Sequence, residues 1–263
     1  MIEDFTKIYE NNIWGNDQEK MYSGSSGGGS NIEFNIPYIN FLKKFIVYKN
    51  IKTIVDIGCG SFKFGTLIYN DLNIKYTGYD VYEKIISNHQ KKYLEDKYEF
   101  INMDAFSEKE NIVNSDLCIL KDVIQHWSIS CIDAFIGYLI ENKKFKYILI
   151  CNCGNQYVDN TDISIGDFRP LSCQFNPLKK YNAIKIFEYN MKEVSLIETD
   201  EVQSLKNLTY FHGDTARHNH FYIYPKDKPI LNKQWDFYEN PCDNCKFIKE
   251  EDITTYQCLG HAF

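Results

Sequence analysis

The chain has 263 residues, 44% hydrophobic and 25% charged, which suits one large globular domain or one domain with a small appendage. A formal net charge of -7 argues against a broad basic face, so nucleic acid is not the expected partner. No apolar run approaches the roughly 18 residues of a membrane span, and the opening MIEDFTKIYE lacks the apolar segment of a secretory leader. The expected location is therefore the cytoplasm, where nine cysteines mean free thiols or metal ligands rather than disulfides. Heavy use of Asn, Ile, Lys and Tyr points to an AT-rich coding genome, as in viruses and parasites, and a viral product would act in the host cytoplasm.

In chain order, residues 1–20 predict a short helix and a turn around Trp14-Gly15. Eight consecutive residues, Ser23 to Ser30, are only Ser and Gly, which by composition is a flexible linker. Residues 35–48 predict a helix with Pro37 in its first turn and Ile39, Leu42, Phe45 and Ile46 on one face. Then KTIVDIG, KYTGYDV, YEFINMD, SDLCILKD and KYILICN predict five buried strands, with helices at 64–72, 83–95 and 130–142 between them. AIKIFEY and HFYIYP predict two closing strands after a loop-rich stretch. This alternation predicts an α/β fold with a mostly parallel, seven-stranded sheet and helices on both faces.

The first strand runs into VDIGCG, a G-x-G at a strand-to-helix turn, where small residues allow close backbone approach to a ligand. Asp80 ends the second strand, where a carboxylate can accept both ribose hydroxyls, and Asp104 follows the third, within reach of an adenine edge. A Walker A lysine is absent, and Lys63 occupies the place of a third dinucleotide-loop glycine. The bland alternative is an unliganded turn with two capping aspartates.

VDIGCG followed by Asp80 resembles the class I S-adenosylmethionine (SAM) methyltransferases, a Rossmann-like fold. The likeness extends to a bacterial and giant-virus-like group through Trp14-Gly15, SGGGSNIEFNIPY (26–38), LKDVIQHW (120–127) and NTDISIGDFRPL (160–171). The resemblance implies SAM as cofactor, held by Ser26, Gly27, Asp56, Gly58, Cys59, Gly60, Asp80, Val81, Asp104, Ala105 and Lys121. Asp56 would brace the turn and the methionine amino group, and Lys121 would contribute its backbone. It also turns the Ser/Gly segment from a linker into a lid over the active site. The implied organisation is a helical cap at 1–50, a SAM-binding domain at 51–228 and a tail at 229–263.

An acceptor hydroxyl needs a base, and His126, past the fourth strand, is placed for it; the competing role is a structural hydrogen bond. Asp122 would position substrate or orient His126. Trp14, Asp162 and Arg169 are candidate substrate contacts, although Arg169 could instead pair with Asp167 and hold its loop. His212, His218 and His220 stand close in sequence, yet their alternation fits a strand better than a metal site. In the tail, Cys242-x2-Cys245 and Cys258-x2-His261 have the spacing of a structural zinc site, against chance spacing in a cysteine-rich chain.

The function expected from all this is SAM-dependent O-methylation of a small polar acceptor such as a sugar or nucleotide-sugar, that is, glycan modification. The alternative is an RNA or protein methyltransferase that docks its substrate through the tail. Neither the D/N-P-P-Y/F of adenine amino-methylation nor the Pro-Cys of cytosine C5 chemistry follows the fourth strand.

Overall fold

A computed structural model describes residues 1–15, 25–159 and 161–199 in full, together with the backbone of four strands between 209 and 258. Its centre is a seven-stranded sheet in the order β3-β2-β1-β4-β5-β7-β6. The strands are β1 (Thr53–Ile57), β2 (Lys75–Asp80), β3 (Tyr98–Asn102), β4 (Ser115–Lys121), β5 (Phe145–Cys153), β6 (Ile184–Tyr189) and β7 (Lys192–Glu198). The first five pair in parallel, while β7 runs antiparallel to both β5 and β6.

Among the described residues five helices accompany the sheet: α1 (Ile2–Glu10), α2 (Ile32–Tyr48), α3 (Gly65–Tyr69), α4 (Glu83–Lys92) and α5 (Ile129–Glu141). One face of the sheet buries Phe41 and Phe45 of α2, Ile68 of α3 and Ile85 of α4 together with Ile54 of β1. The other face buries Ile132, Phe135 and Ile136 of α5 against Val55, Cys118, Leu120 and Ile148. Alternate residues of β1 thus enter opposite cores, as a strand covered on both sides must.

The ends of α2 and α5 are set locally. Asn31 accepts a hydrogen bond from the Phe34 N–H at 3.0 Å and starts α2, and Ser128 does the same for Cys131 at 3.2 Å at the head of α5. Because α2 begins at Ile32, Pro37 lies beyond the first turn and costs the helix one backbone hydrogen bond.

The expected parallel core is present, but the closing strands differ. AIKIFEY is β6; its partner is KEVSLIE, β7, and not HFYIYP. Phe221–Pro225 (β9) instead pairs with Thr209–Gly213 (β8) in a separate two-stranded sheet. The reason lies at the head of β7, where two charged residues hide an otherwise apolar run. Lys192 and Glu193 are both buried and both satisfied, Lys192 by Asp122 and Glu193 by the Ser172 hydroxyl and the Cys173 N–H. In the tail, Cys245–Glu250 (β10) and Ile253–Cys258 (β11) form an antiparallel hairpin.

Candidate active site

Strand order reverses between β1 and β4, and a cleft opens at the carboxyl ends of the strands there, where open α/β sheets take ligands. The cleft encloses about 1120 Å³, its open mouth included. Of the predicted cofactor residues, Ser26, Asp56, Gly58, Cys59, Gly60, Asp80, Val81, Asp104, Ala105 and Lys121 line it, and Gly27 does not. His126, Asp122 and Trp14 line it as well.

The G-x-G turn is built for backbone approach. Gly58 and Gly60 have φ of +69° and +52°, and a Cβ on them would meet Val123 at 2.6 Å and Ser26 Oγ at 2.7 Å. Asp80 accepts the Gly60 N–H at 2.9 Å with one oxygen and the Tyr82 N–H at 3.0 Å with the other. It therefore ties the β1 turn to the end of β2. Burial raises its pKa, and these N–H bonds oppose that rise. Each oxygen keeps acceptor capacity for a ligand hydroxyl. Asp56 accepts the Tyr76 hydroxyl at 2.8 Å, and burial pushes its pKa up to about 7. Asp104 accepts the Phe106 N–H at 3.0 Å, and its other oxygen lies 3.8 Å from the Met1 amino group.

The described part of the Ser/Gly segment, Ser25 to Ser30, lies on this turn. Ser26 Oγ accepts the Ser61 N–H at 2.8 Å and sits 3.1 Å from the Tyr9 hydroxyl. Lys121 Nζ donates to the Gly29 carbonyl at 2.8 Å, and the Asn35 amide donates to the same oxygen at 2.8 Å. A Cβ on Gly29 would stand 2.6 Å from Asp122 Oδ2, so a carboxylate occupies the space a side chain would need.

That carboxylate is the centre of a charged cluster. Asp122 has φ +60°, is held by its N–H to the Cys151 carbonyl at 2.8 Å, and pairs with Lys121 at 2.7 Å and with Lys192. Burial alone would raise the Asp122 pKa, but the two ammonium groups hold it below the usual carboxylate range. The Lys121 side chain thus bonds both the Ser/Gly segment and Asp122.

His126 is buried. Its Nδ1 lies 2.8 Å from the Asp167 carbonyl, which can only accept, so Nδ1 carries the proton and Nε2 the lone pair. Burial lowers its pKa from the ordinary histidine value. The Gln125 amide, fixed by accepting the Cys153 N–H at 3.0 Å, lies 3.3 Å from Nε2. Trp14 packs on the imidazole with ring centroids 4.9 Å apart. Among the described contacts the Asp167 carbonyl orients His126, and Asp122 makes no hydrogen bond to it.

Arg169 and Asp162 are brought together but not to the cleft lining. Arg169 is buried, donates to the Trp127 carbonyl at 2.6 Å and pairs with Asp162 at 3.2 Å. Asp162 also accepts the Ile129 N–H at 2.7 Å. These two residues fasten the 161–169 loop beneath His126, whose carbonyl receives the Gly166 N–H at 2.9 Å. This is the loop-holding role weighed for Arg169, with Asp162 rather than Asp167 as its partner.

Sequence reasoning missed Met1 and, in α1, Phe5 and Tyr9, which line the cleft, and Lys192. The i, i+4 spacing of Phe5 and Tyr9 was the available signal for α1. Lys192 had none, since it lies seventy positions from Asp122 in sequence.

Of the proposed metal ligands, Cys245 and Cys258 stand opposite each other in the β10–β11 ladder. Cys242 and His261 lie outside the described residues, as do His218 and His220. Among the described residues no group of three or more His, Cys, Asp or Glu could hold a metal ion. Nor, among them, is any helix long and apolar enough to cross a membrane.

An open sheet with this strand order and a cleft at its reversal is a Rossmann-like architecture. No protein-family model matches the chain, and neither does any curated protein. Solved structures do match. An O-methyltransferase family protein from Burkholderia thailandensis superposes with a TM-score of 0.50 at 11% identity, over 64% of this chain and 57% of that one. The structure of PigF with SAH gives a TM-score of 0.50 at 10% identity, over 63% and 56%. The chain thus matches little more than half the length of either structure. The likeness is one of fold, shared with an O-methyltransferase family protein and with PigF.

Proposed function

We propose that the protein is a SAM-dependent methyltransferase that methylates a hydroxyl of a small polar acceptor, a sugar or nucleotide-sugar. The observation that carries this reading is the convergence of Asp80, Asp104 and the Gly58–Gly60 turn on one cleft at the strand reversal. A further test of fit comes from buried polar atoms with no partner. The Ser61 and Tyr38 hydroxyls and the Trp127 indole N–H all belong to cleft-lining residues, and a ligand rich in polar atoms would satisfy them.

When bound, SAM supplies an electrophilic methyl group on sulfur and leaves as SAH. Asp80 would hold the ribose hydroxyls, Asp56 the amino group, and the lid from Ser26 to Gly29 would exclude water. His126 acts on the acceptor. Its Nδ1–H stays on the Asp167 carbonyl, and its Nε2 takes the hydroxyl proton as the oxygen gains the methyl carbon. The bond to Asp167 fixes the tautomer and the ring, and the acceptor hydroxyl takes the place of the Gln125 amide on Nε2.

The tail belongs to this reading as a structural zinc clasp of Cys242, Cys245, Cys258 and His261, a view supported by the register that sets Cys245 opposite Cys258. Metal analysis of chelator-free protein should find one zinc per chain, and a value near zero removes the clasp.

Calorimetry with SAH tests the cofactor site. Asp80→Asn keeps the shape but loses the charge, and should weaken SAH by roughly 10- to 100-fold, the scale of lost hydrogen bonds to a charged group. Unchanged affinity in a folded variant would remove the site.

A further inference from the structure

A second cavity, of about 1070 Å³ with its mouth included, lies where the chain leaves β5 and turns from β6 into β7. It shares a wall with the cofactor cleft. Lys192 lines it, and the same ammonium pairs with Asp122, which lines the cleft. Lys192 Nζ also lies 3.2 Å from Cys153 Sγ, and the Cys153 N–H is held by Gln125, the neighbour of His126. A ligand resting on Lys192 is therefore one ion pair away from the cofactor cleft.

The lining states what that ligand is. Its charges are Lys185 and Lys192 against Glu188 and Glu193, and each is already engaged within the protein. Lys185 bonds Glu188 at 2.8 Å, Lys192 bonds Asp122, and Glu193 takes the Ser172 hydroxyl and the Cys173 N–H. No unpaired cation among the described lining residues awaits a phosphate, which a nucleotide or an RNA backbone would need. What remains available is different. Tyr157 is 82% exposed and Met191 70% exposed, two apolar surfaces at the rim of a folded cavity. Beside them stand the amides of Asn155 and Gln174, both exposed, and of Asn190, which spends one donor on the Phe34 carbonyl at 2.9 Å. An aromatic plate with amides around it suits a ring that has an apolar face and a rim of hydroxyls.

We infer that this cavity holds a part of the acceptor remote from the hydroxyl methylated beside His126, an uncharged saccharide ring stacked on Tyr157 and hydrogen-bonded by Asn155 and Gln174. The acceptor role rests on the methyl-transfer reading; saccharide binding itself does not.

The test uses the full chain with saturating SAH and saturation-transfer NMR. The probes are the methyl glycosides of glucose, galactose, mannose, N-acetylglucosamine and rhamnose, with glucose 1-phosphate and a uridine-rich RNA oligomer beside them. At least one methyl glycoside should receive saturation. Tyr157→Ala should cut that signal about fivefold, and Gln174→Ala should reduce it too. Neither residue touches the cofactor cleft, so calorimetry should return wild-type SAH affinity for both variants. Silence from every glycoside with SAH bound overturns the inference, as does a glycoside signal indifferent to both substitutions. Saturation of only the phosphate or the RNA overturns it in favour of an anionic acceptor. If SAH fails to bind while a glycoside signal depends on Tyr157, the methyl-transfer reading falls and takes the acceptor role with it.

Discussion

The cofactor cleft and the second cavity meet at the Asp122–Lys192 pair, yet they are made of different material. The cleft is lined by buried carboxylates locked by backbone N–H groups: Asp80 by Gly60 and Tyr82, Asp104 by Phe106. The cavity presents exposed side chains, Tyr157, Asn155, Gln174 and Met191, on a floor whose charges are already paired. One half is pre-organised by backbone and suits an invariant ligand. The other is written in loop side chains, which can change without disturbing the sheet. The difference teaches where each kind of substitution should act: on chemistry and cofactor affinity in the first, on acceptor choice in the second.

The sharpest way to break the comparison is at His126, on the border. His126→Ala should lower kcat by roughly 10²- to 10⁴-fold and leave SAH affinity intact by calorimetry. Because burial lowers the His126 pKa, the wild-type rate should hold its plateau below the ordinary value of about 6.5 and fall only under it. The same shift makes a stability statement. The unfolded chain binds a proton on this group before the folded one does, so its contribution is present above about 6.5 and is lost as pH falls through that value toward the folded pKa. A rate that is flat across the acid range removes the base.

Next in size is the lid. Gly29→Ala places a methyl group against the Asp122 carboxylate, where the gap is 2.6 Å. Overpacking of this kind costs about 1–3 kcal/mol, so kcat/KM should fall by roughly tenfold or more while circular dichroism is unchanged. Full activity in Gly29→Ala would mean that the lid does not close on Asp122 during turnover.

The smallest effect sharpens the contrast. Asp56, whose pKa burial pushes up to about 7, is partly protonated at neutral pH when no cofactor is added. An arriving ammonium group should expel that proton. Calorimetry of SAH binding near neutral pH, in buffers of different ionisation enthalpy, should register up to one proton released, and Asp56→Asn should release none. The sign for stability is opposite to that of His126. The folded pKa is raised above the unfolded value of about 3.9, so Asp56 erodes stability as pH rises from there to about 7. Asp56→Asn should therefore raise the melting temperature of the empty protein at mildly alkaline pH.

The sequence by itself determined the parallel core and most of the cofactor side. Short β-branched runs alternating with amphipathic helices leave little choice of architecture, and a G-x-G turn with acids at strand ends is a local pattern. The cleft accordingly collects Gly58, Gly60, Asp80 and Asp104, all on consecutive strand-end turns. Tertiary structure alone decided the rest. It made KEVSLIE the seventh strand, because β5 and β6 bury the charges at its head while Asp122 pairs with Lys192 and the Ser172 hydroxyl and Cys173 N–H bond Glu193. It paired Arg169 with Asp162 in the fastening of a loop, and gave the orientation of His126 to the Asp167 carbonyl. It also brought Lys192 to Asp122. Each of these is a pairing between groups far apart in the chain, and periodicity carries no information about which distant partner satisfies a buried charge.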